Sequence, residues 1–287
     1  MEKFSLKFFR NILNIVPYTR FGDAIYYYIK FYRAHSRLPK DNSCLINDYF
    51  FKIKSSSEIE RVLRQLSSDK YLVKYFVESM LGKDFVPVTY CLLTSEEDVK
   101  NFVADHPCVI KPTHLSGCVY FKKPGERLAE SECNSLCDSL KKNLYFLRRE
   151  RNYKNLTPAI IVEEQVDNSK SIRDYKVFCY KGSPRFIQVD SERHFSHKRN
   201  LYTTDWEFLD VTYNKPVGDV IPPPKNLESI LEAAKVLSSK FESARIDFFI
   251  VGDKFYVGEI THVPEQAHGR FQSVNDERLI SEIYFNV

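Results

Sequence analysis

The sequence predicts an α+β protein whose strands pair mostly in antiparallel fashion. Apolar residues recur with a helical period between residues 57 and 82, and the later strands are short apolar runs with polar boundaries. Two stretches, 180–183 and 251–254, carry the glycine-containing signals of hairpin turns between consecutive strands. Helices followed by hairpins favour an α+β protein over a doubly wound parallel sheet.

Composition excludes several classes of protein. The 287 residues are 43% hydrophobic and 14% aromatic with only nine glycines, which excludes a disordered or fibrous chain. No apolar run approaches the roughly 18 residues of a membrane span, and no secretory signal is recognisable, so we expect a soluble cytoplasmic protein. Seven cysteines without a CxxC pair predict free thiols in a reducing compartment.

The formal charge of +4 is distributed unevenly. Residues 1–40 hold eight Lys or Arg and two acidic residues, which gives this segment +6 and leaves −2 for the remainder. We expect the segment to pack its aromatic side chains on the main domain, with at most weak, salt-sensitive contact with anionic lipid at the inner face of a membrane. The acidic remainder argues against a nucleic-acid partner.

The helices are predicted from caps and apolar stripes. Residues 1–40 form helices that are interrupted near 17–22 and end by Pro39. Further helices begin at polar caps, namely Ser57 with Glu60, Asp69, and Thr94 with Glu97. The helix after Asp69 ends at Gly82, and a last helix covers 227–241. Strands are predicted over 108–111, 159–166, 174–180, 185–190, 245–251 and 255–261.

The last two strands carry the most informative pattern. Arg245 and Asp247 share one face of the first strand, and Glu259 and Thr261 share one face of the second. If Arg245 pairs with Thr261, then Asp247 pairs with Glu259. That register requires a three-residue loop, 252–254, because a two-residue turn would put the carboxylates on opposite faces. Two facing carboxylates with a hydroxyl suit a Mg²⁺ that keeps phosphate oxygens as ligands, whereas the alternative is a salt-bridge patch on a solvated sheet face.

Two other stretches suit a nucleotide. The strand that ends near Lys111 runs into a small-residue loop that reaches Gly117, and such a layout can hold phosphate groups. The apolar strand over 159–166 contains Glu163 and Glu164, and an acid beside exposed backbone donors can bind the amino edge of adenine. The plainer interpretations are a surface strand that ends in lysine and a strand that ends in solvent.

Taken in order, these stretches resemble the ATP-grasp fold, and specifically its TupA-like branch, which is associated with bacterial polysaccharide and teichuronopeptide synthesis. The resemblance covers about residues 40–270. It is carried by an ordered series of short segments: 68–74, 86–87, 109–117, 160–166, 174–182, 186–193, 199–200 and 245–264.

The resemblance implies an activity, two cofactors and a set of site residues. ATP-grasp enzymes phosphorylate a carboxylate with ATP and let an amine or another nucleophile displace the phosphate. The implied cofactors are ATP and Mg²⁺. The implied ATP contacts are Lys70 and Lys111 at the phosphates, Glu163, Glu164 and Val166 at the adenine, and also Gly117 and Lys176. The implied magnesium ligands are Asp247, Glu259 and Thr261, and the implied catalytic residues are Arg245, which steadies the acyl phosphate, and Lys111.

The resemblance also divides the chain. It implies a basic, aromatic-rich helical segment over 1–55 and an ATP-grasp domain over 56–287, with a lid at about 86–166 and a C-terminal subdomain at about 167–287. Two departures stand out, since Thr261 replaces the Asn that is common among metal ligands of the superfamily, and Leu115 stands where the branch tends to have Gly. The usual N-terminal nucleotide-fold-like domain is not evident.

We therefore expect an ADP-forming ligase that joins a carboxylate to an amine. The expected carboxylate is a uronic acid on a sugar nucleotide or cell-surface polysaccharide, as in capsule biosynthesis, and the amine is an amino acid or small amino alcohol. Polar residues after two of the strands should line the acceptor side: Asp190, Arg193, Arg199, Asn200, His262 and Gln266. The alternatives are a glycosyltransferase of the same pathway, which the lack of an Asp-x-Asp pair disfavours, and a non-catalytic adaptor that binds polysaccharide or membrane.

Overall fold

Two antiparallel sheets organise the computed structural model, which describes residue 13 and residues 15–166, 173–191 and 196–287. The strands are β1 Thr89–Leu93, β2 Cys108–Pro112, β3 Tyr120–Lys122, β4 Ile160–Glu164, β5 Asp174–Tyr180, β6 Ser183–Ser191, β7 Lys198–Thr203, β8 Phe208–Leu209, β9 Ser243–Val251 and β10 Lys254–Thr261. A four-stranded sheet has the order β1-β4-β2-β3, and a six-stranded sheet has the order β10-β9-β5-β6-β7-β8. The predicted α+β class is confirmed.

Nine α-helices lie in the part of the chain that the structure describes. They are α1 Arg20–His35, α2 Ile46–Ser55, α3 Val62–Ser68, α4 Leu72–Leu81, α5 Glu96–Asn101, α6 Glu130–Leu140, α7 Leu144–Arg148, α8 Leu227–Ser238 and α9 Val274–Phe285. Within this part, no helix combines the length and the apolar character that a membrane crossing requires.

Two of the predicted helix starts are wrong by one residue. Ser56 rather than Ser57 caps the first of them, and the turn that follows is a short 3-10 helix that ends before Arg61, whose extended backbone (ψ 140°) separates it from α3. Likewise, Ser95 forms the capping box with Asp98, one residue later than predicted. By contrast, the carboxylate of Asp69 accepts backbone hydrogen bonds at the start of α4, as predicted.

Helices cover both faces of the six-stranded sheet. On one face, α4 and α8 pack against the strands in a core that includes Val177, Ile246 and Leu237. On the other face, α1, α2 and α9 form a second core around Phe31 and Phe178. The four-stranded sheet has its own core with α6. Helix α1 is therefore an integral part of the packed protein.

The three consecutive tyrosines of α1 face different directions, as their spacing predicts. Tyr27 is buried with 1% of its surface exposed, Tyr28 is 45% exposed, and Tyr26 is intermediate. Arg149, which is buried after α7, binds this helix through an ion pair with Asp23 at 2.9 Å. The aromatic residues of the segment before residue 13 lie outside the described residues.

The β9–β10 hairpin has the predicted pairing but not the predicted loop. Its turn contains only Gly252 and Asp253, since Lys254 already pairs with Val251. The register then shifts between Val257 and Glu259, so that Asp247 opposes Glu259 and Arg245 opposes Thr261. The extra residue in this β-bulge is Gly258, and a β-carbon at this position would lie 3.4 Å from the ring of Phe249. The bulge moves both carboxylates to one face despite the two-residue turn.

Candidate active site

A cavity of about 540 Å³ lies beside the hairpin and the loop that follows β2. Several residues that the sequence predicted to hold phosphate, metal or acceptor line it: Lys70, Arg245, Glu259, Thr261 and Gln266. Others were not predicted: Tyr26 and Lys30 of α1, Arg148 and Glu150 at and after the end of α7, and Tyr153. The cavity is therefore lined by both the hairpin and α1.

The two carboxylates of the hairpin are held by cations and a hydroxyl. Arg245 donates to both oxygens of Asp247, from Nε to Oδ1 at 2.6 Å and from Nη2 to Oδ2 at 2.7 Å. Lys176 reaches Asp247 Oδ2 from the neighbouring strand at 2.5 Å. Thr261 Oγ1 accepts from Arg245 Nη2 at 3.0 Å and donates to Glu259 Oε1 at 2.9 Å. The cluster is continuous from β5 to β10.

The cluster keeps its charges despite burial. Burial alone would raise the pKa of Glu259, but Lys70, Arg245 and Lys176 outweigh it and lower that pKa to about 2. Burial would lower the pKa of Arg245, whereas the charge and hydrogen bonds of Asp247 raise it above its usual range. Glu259 is therefore an anion and Arg245 a cation throughout the physiological pH range.

The donor set of this cluster fits Mg²⁺. Two carboxylates and the hydroxyl of Thr261 are hard oxygen ligands, and Mg²⁺ commonly takes only one or two protein carboxylates and completes its shell with phosphate oxygens and water. The described residues contain no group of three or more His, Cys, Asp or Glu placed to hold a metal ion. A magnesium ion at Asp247 and Glu259 would thus depend on further oxygens from a bound ligand.

Lys70 is bound to the small-residue loop after β2. Its Nζ donates to the carbonyl of Leu115 at 2.7 Å, and its backbone N–H donates to the carbonyl of Thr113 at 2.9 Å. Burial lowers the pKa of Lys70, and Glu259 opposes this effect. In the same loop, Gly117 has φ +92°, a conformation that glycine adopts most readily. The loop and the lysine thus form a unit beside the carboxylates.

Lys111 of β2 and Glu163 of the neighbouring strand β4 form an ion pair. Glu163 lies between two lysines, because Lys111 binds its Oε1 and Lys74 binds its Oε2 at 2.6 Å. Burial alone would raise the pKa of Glu163, but Lys111 and Lys74 together lower it. In this structure, the Glu163 side chain orients lysines. Its contact with adenine stays a prediction.

The remaining residues of the predicted adenine hinge lie at the end of β4. The backbone N–H of Glu164 donates to the carbonyl of Val88 at 2.8 Å, and the Glu164 side chain accepts from the backbone N–H of Val88 at 3.4 Å. Val166 is partly exposed, and the residues 167–172 that follow it lie outside the described part of the chain. Lys74 was not predicted as a site residue, although its position four residues after Lys70 is a signal.

Of the five described residues that were predicted for the acceptor side, only Gln266 lines the cavity. Asp190, Arg199 and Asn200 are buried and bonded within the protein, with Arg199 Nε donating to Asp190 Oδ1 at 2.7 Å. His262 is 1% exposed, and its ring nitrogens are hydrogen-bonded to Arg64 at 3.0 Å and to Ser67 at 2.8 Å. These four residues are buried and do not line the cavity, and Arg193 lies outside the described residues.

The comparison with protein families gives one match. A family model described as TupA-like ATP-grasp matches residues 52–284, which is more than half of the chain. Helix α1, which supplies Tyr26 and Lys30 to the cavity, lies before the matched region. No curated protein matches the sequence.

Solved structures show distant likeness. The D-alanine–D-alanine ligase from Bacillus anthracis is 16% identical with a TM-score of 0.39, over 69% of this chain and 57% of that one. The same enzyme complexed with ATP is 15% identical with a TM-score of 0.38, over 77% and 64%. The L-amino acid ligase from Bacillus licheniformis is 14% identical with a TM-score of 0.44, over 74% and 48%. The chain thus spans less than two thirds of the length of these proteins, and likeness at this level says nothing about its substrate.

Proposed function

The chain belongs to the TupA-like ATP-grasp family, and on that premise we propose that it is an ATP- and Mg²⁺-dependent ligase that joins a carboxylate to an amine through an acyl phosphate. One observation carries the proposal: the β-bulge brings Asp247 and Glu259 face to face on the sheet. Glu259 lines the same cavity as Lys70 and the loop after β2. This arrangement suits a reaction that brings several anions together.

We propose separate roles for the magnesium ligands, the phosphate-binding residues and Arg245. Asp247 and Glu259 would hold Mg²⁺, which neutralises phosphate charge when bound. Lys70, Lys111 and the loop that contains Gly117 would bind the ATP phosphates from the other side, with Lys176 fixing Asp247. Arg245 would steady the acyl phosphate, since it is held by Asp247 and also lines the cavity.

The finer parts of the proposal are the substrate and the location. We propose a uronic acid of a sugar nucleotide or cell-surface polysaccharide as the carboxylate, in line with the polysaccharide pathways associated with this family. The described cysteines are all free thiols, which supports a cytoplasmic enzyme. Neither a glycosyltransferase nor a non-catalytic adaptor requires the cluster of paired carboxylates and cations that this cavity contains.

The test supplies ATP, Mg²⁺ and a carboxylate, with hydroxylamine as a general nucleophile. Glucuronic acid and UDP-glucuronic acid are the carboxylates, and an acyl phosphate formed from either will be trapped as a coloured hydroxamate. We expect release of ADP and phosphate that requires both Mg²⁺ and a carboxylate. Release of AMP and pyrophosphate would overturn the acyl-phosphate mechanism.

A further inference from the structure

A second group of charged side chains lines the cavity, in addition to the residues around the hairpin. It consists of Lys30 of α1, Arg148 at the end of α7, and Glu150 shortly after it. No sequence motif contains these residues, and none of them was predicted to have a role. Lys30 is distant in sequence from Arg148 and Glu150, and it shares a cavity with them only in the folded protein.

Glu150 is held in place by Gln266. Gln266 Nε2 donates to Glu150 Oε1 at 2.6 Å. Gln266 is in turn fixed by Lys54, which is 4% exposed and donates to its backbone carbonyl at 3.1 Å and to its Oε1 at 3.3 Å. Among the described residues, the other carboxylate oxygen of Glu150 makes no hydrogen bond. One oxygen is thus anchored by Gln266, and the Glu150 side chain lines the cavity.

The segment that carries Gln266 is strained. Glu265, Gln266 and Ala267 have φ values of 48°, 56° and 63°, three consecutive residues in the left-handed region that favours glycine. Hydrogen bonds hold this conformation, from Lys54 to the carbonyl of Gln266 and from His35 to the carbonyl of Ala267 at 2.9 Å. Such strain persists where the surrounding structure enforces it, and it occurs preferentially at functional sites.

Lys30 and Arg148 are cations, and Arg148 acts electrostatically on Glu150, the acid two residues further along the chain. Neither forms an ion pair within 4.0 Å among the described residues, and Lys30 has only the ring of Tyr26 at 5.5 Å. Burial lowers the pKa of Lys30, and the nearby Arg33 lowers it further. Its charge is therefore poorly compensated in the protein alone, and a bound anion would stabilise it.

We propose that these side chains form the subsite for the amine substrate, and that this substrate is an amino acid, an amine that also carries a carboxylate. Glu150 receives the ammonium group, and Lys30 with Arg148 receives the carboxylate. The inference rests on the proposed function and narrows its amine, which the sequence left open between an amino acid and an amino alcohol. It also gives α1, which precedes the family-matched region, a part in substrate choice.

The position of Glu150 suits the reaction as well as the binding. Burial raises the pKa of Glu150, Lys54 and Arg148 oppose that effect, and Glu259, one of the proposed magnesium ligands, adds to it. The titratable groups around Glu150 come from several elements: Lys54 of α2, Arg148 of α7, Glu259 of β10, Tyr26 of α1, and Tyr153. A carboxylate in this setting can accept a proton near neutral pH.

The step balances with groups already named. The ammonium gives one proton to the Glu150 carboxylate, and the nitrogen lone pair forms a C–N bond with the acyl carbon. The C–O bond to the phosphate breaks, and the phosphate leaves with that electron pair and takes the second proton from nitrogen. The products are an amide, hydrogen phosphate and protonated Glu150, which returns its proton to water.

The experiment compares matched nucleophiles in the full-length enzyme with ATP, Mg²⁺ and the accepted carboxylate. One arm offers a pool of L-amino acids, a second offers the corresponding amino alcohols, and a third offers hydroxylamine, which has no carboxylate and is largely uncharged at neutral pH. ADP release and the mass of the product are measured in each arm. We expect the wild-type enzyme to form amides with amino acids and not with amino alcohols.

Variants then separate the two ends of the subsite. Lys30→Met and Arg148→Met should each raise KM for the amino acid on the order of ten-fold or more, whereas Glu150→Gln should lower kcat for amino acids relative to hydroxylamine. The exposed residues Lys52 and Glu282 provide the matched controls Lys52→Met and Glu282→Gln, which should change neither parameter.

Two results would overturn the inference, and they are distinguishable. The first is equal turnover of amino acids and amino alcohols, together with an unchanged KM for amino acids in Lys30→Met and Arg148→Met. This result would refute the subsite but not the ligase function. Absence of ADP release and hydroxamate with every carboxylate would refute the proposed function itself, and this inference with it.

Discussion

Replacing Asp190 by asparagine should destabilise the protein at neutral pH and do so much less in acid. Asp190 is 1% exposed, and Arg199 binds both of its oxygens, at 2.7 Å from Nε and at 3.2 Å from Nη2. Burial alone would raise the pKa of Asp190, but the hydrogen bonds and charge of Arg199 outweigh it and lower the pKa from 3.8 to about 2. The carboxylate therefore stabilises the fold only while it is ionised.

The size and the sign of the effect follow from that shift. A pKa lowered by folding contributes stability above the unfolded-state pKa, and the contribution is lost as the pH falls through the folded-state value. A shift of roughly 2 pKa units is worth about 2.5 kcal/mol at pH 7, and about half of this remains at pH 3. Asp190→Asn should therefore lower the free energy of unfolding by about 2.5 kcal/mol at pH 7 and by clearly less at pH 3.

Urea unfolding of the wild type and the variant between pH 7 and pH 3 measures this difference. Asp253→Asn is the matched control, because the Asp253 side chain is 88% exposed and should show no such dependence on pH. A destabilisation that is equal at both pH values would refute the ion-pair reasoning. Unchanged stability with lost activity would instead support the prediction that Asp190 binds the acceptor.

Three further predictions concern the proposed machinery and the N-terminal segment. Asp247→Asn should abolish ADP release and lower the melting temperature proportionally less, whereas Asp253→Asn should change neither quantity. Near-normal turnover of Asp247→Asn at saturating Mg²⁺ would refute the assignment of Asp247 as a metal ligand. Lys111→Met should weaken ATP binding on the order of ten-fold in calorimetry, and undiminished affinity would place the phosphates elsewhere. Deletion of residues 1–40 should lower the melting temperature, because Phe31 is 0% exposed in the core; a truncated protein that keeps its melting temperature and loses only liposome binding would favour a membrane role.

The hairpin shows what the sequence could predict and what it could not. The alternation of polar and apolar residues predicted which side chains share a face, and the pairing of Asp247 with Glu259 is confirmed. The predicted three-residue loop was wrong because the prediction assumed a regular ladder of hydrogen bonds. With a two-residue turn, Asp247 can oppose Glu259 only if the ladder contains a bulge. Gly258 inside the strand was the available signal, since a strand glycine often marks a bulge.

The far side of the cavity could not be predicted in the same way. Lys30 is distant in sequence from Arg148 and Glu150, and no spacing along the chain reveals that it meets them. Arg199 shows the opposite error, because a polar cluster after a strand suggested a ligand site, while the fold buries it against Asp190. Sequence patterns report the face on which a residue lies, but tertiary packing decides what that face meets.

The surroundings of the hairpin cluster bear on its two interpretations, a magnesium site and a salt-bridge patch. Asp247 and Glu259 contribute two negative charges and Arg245, Lys176 and Lys70 three positive charges, and Asp174, 3.5 Å from Lys176, adds a third negative charge. The charges are balanced, but a salt-bridge patch would lie on a solvated face, whereas Arg245 and Asp247 are buried and Glu259 lines a cavity. This location favours the proposed phosphoryl-transfer site, in which Arg245 and Lys176 would hold Asp247 in position for the anionic substrates.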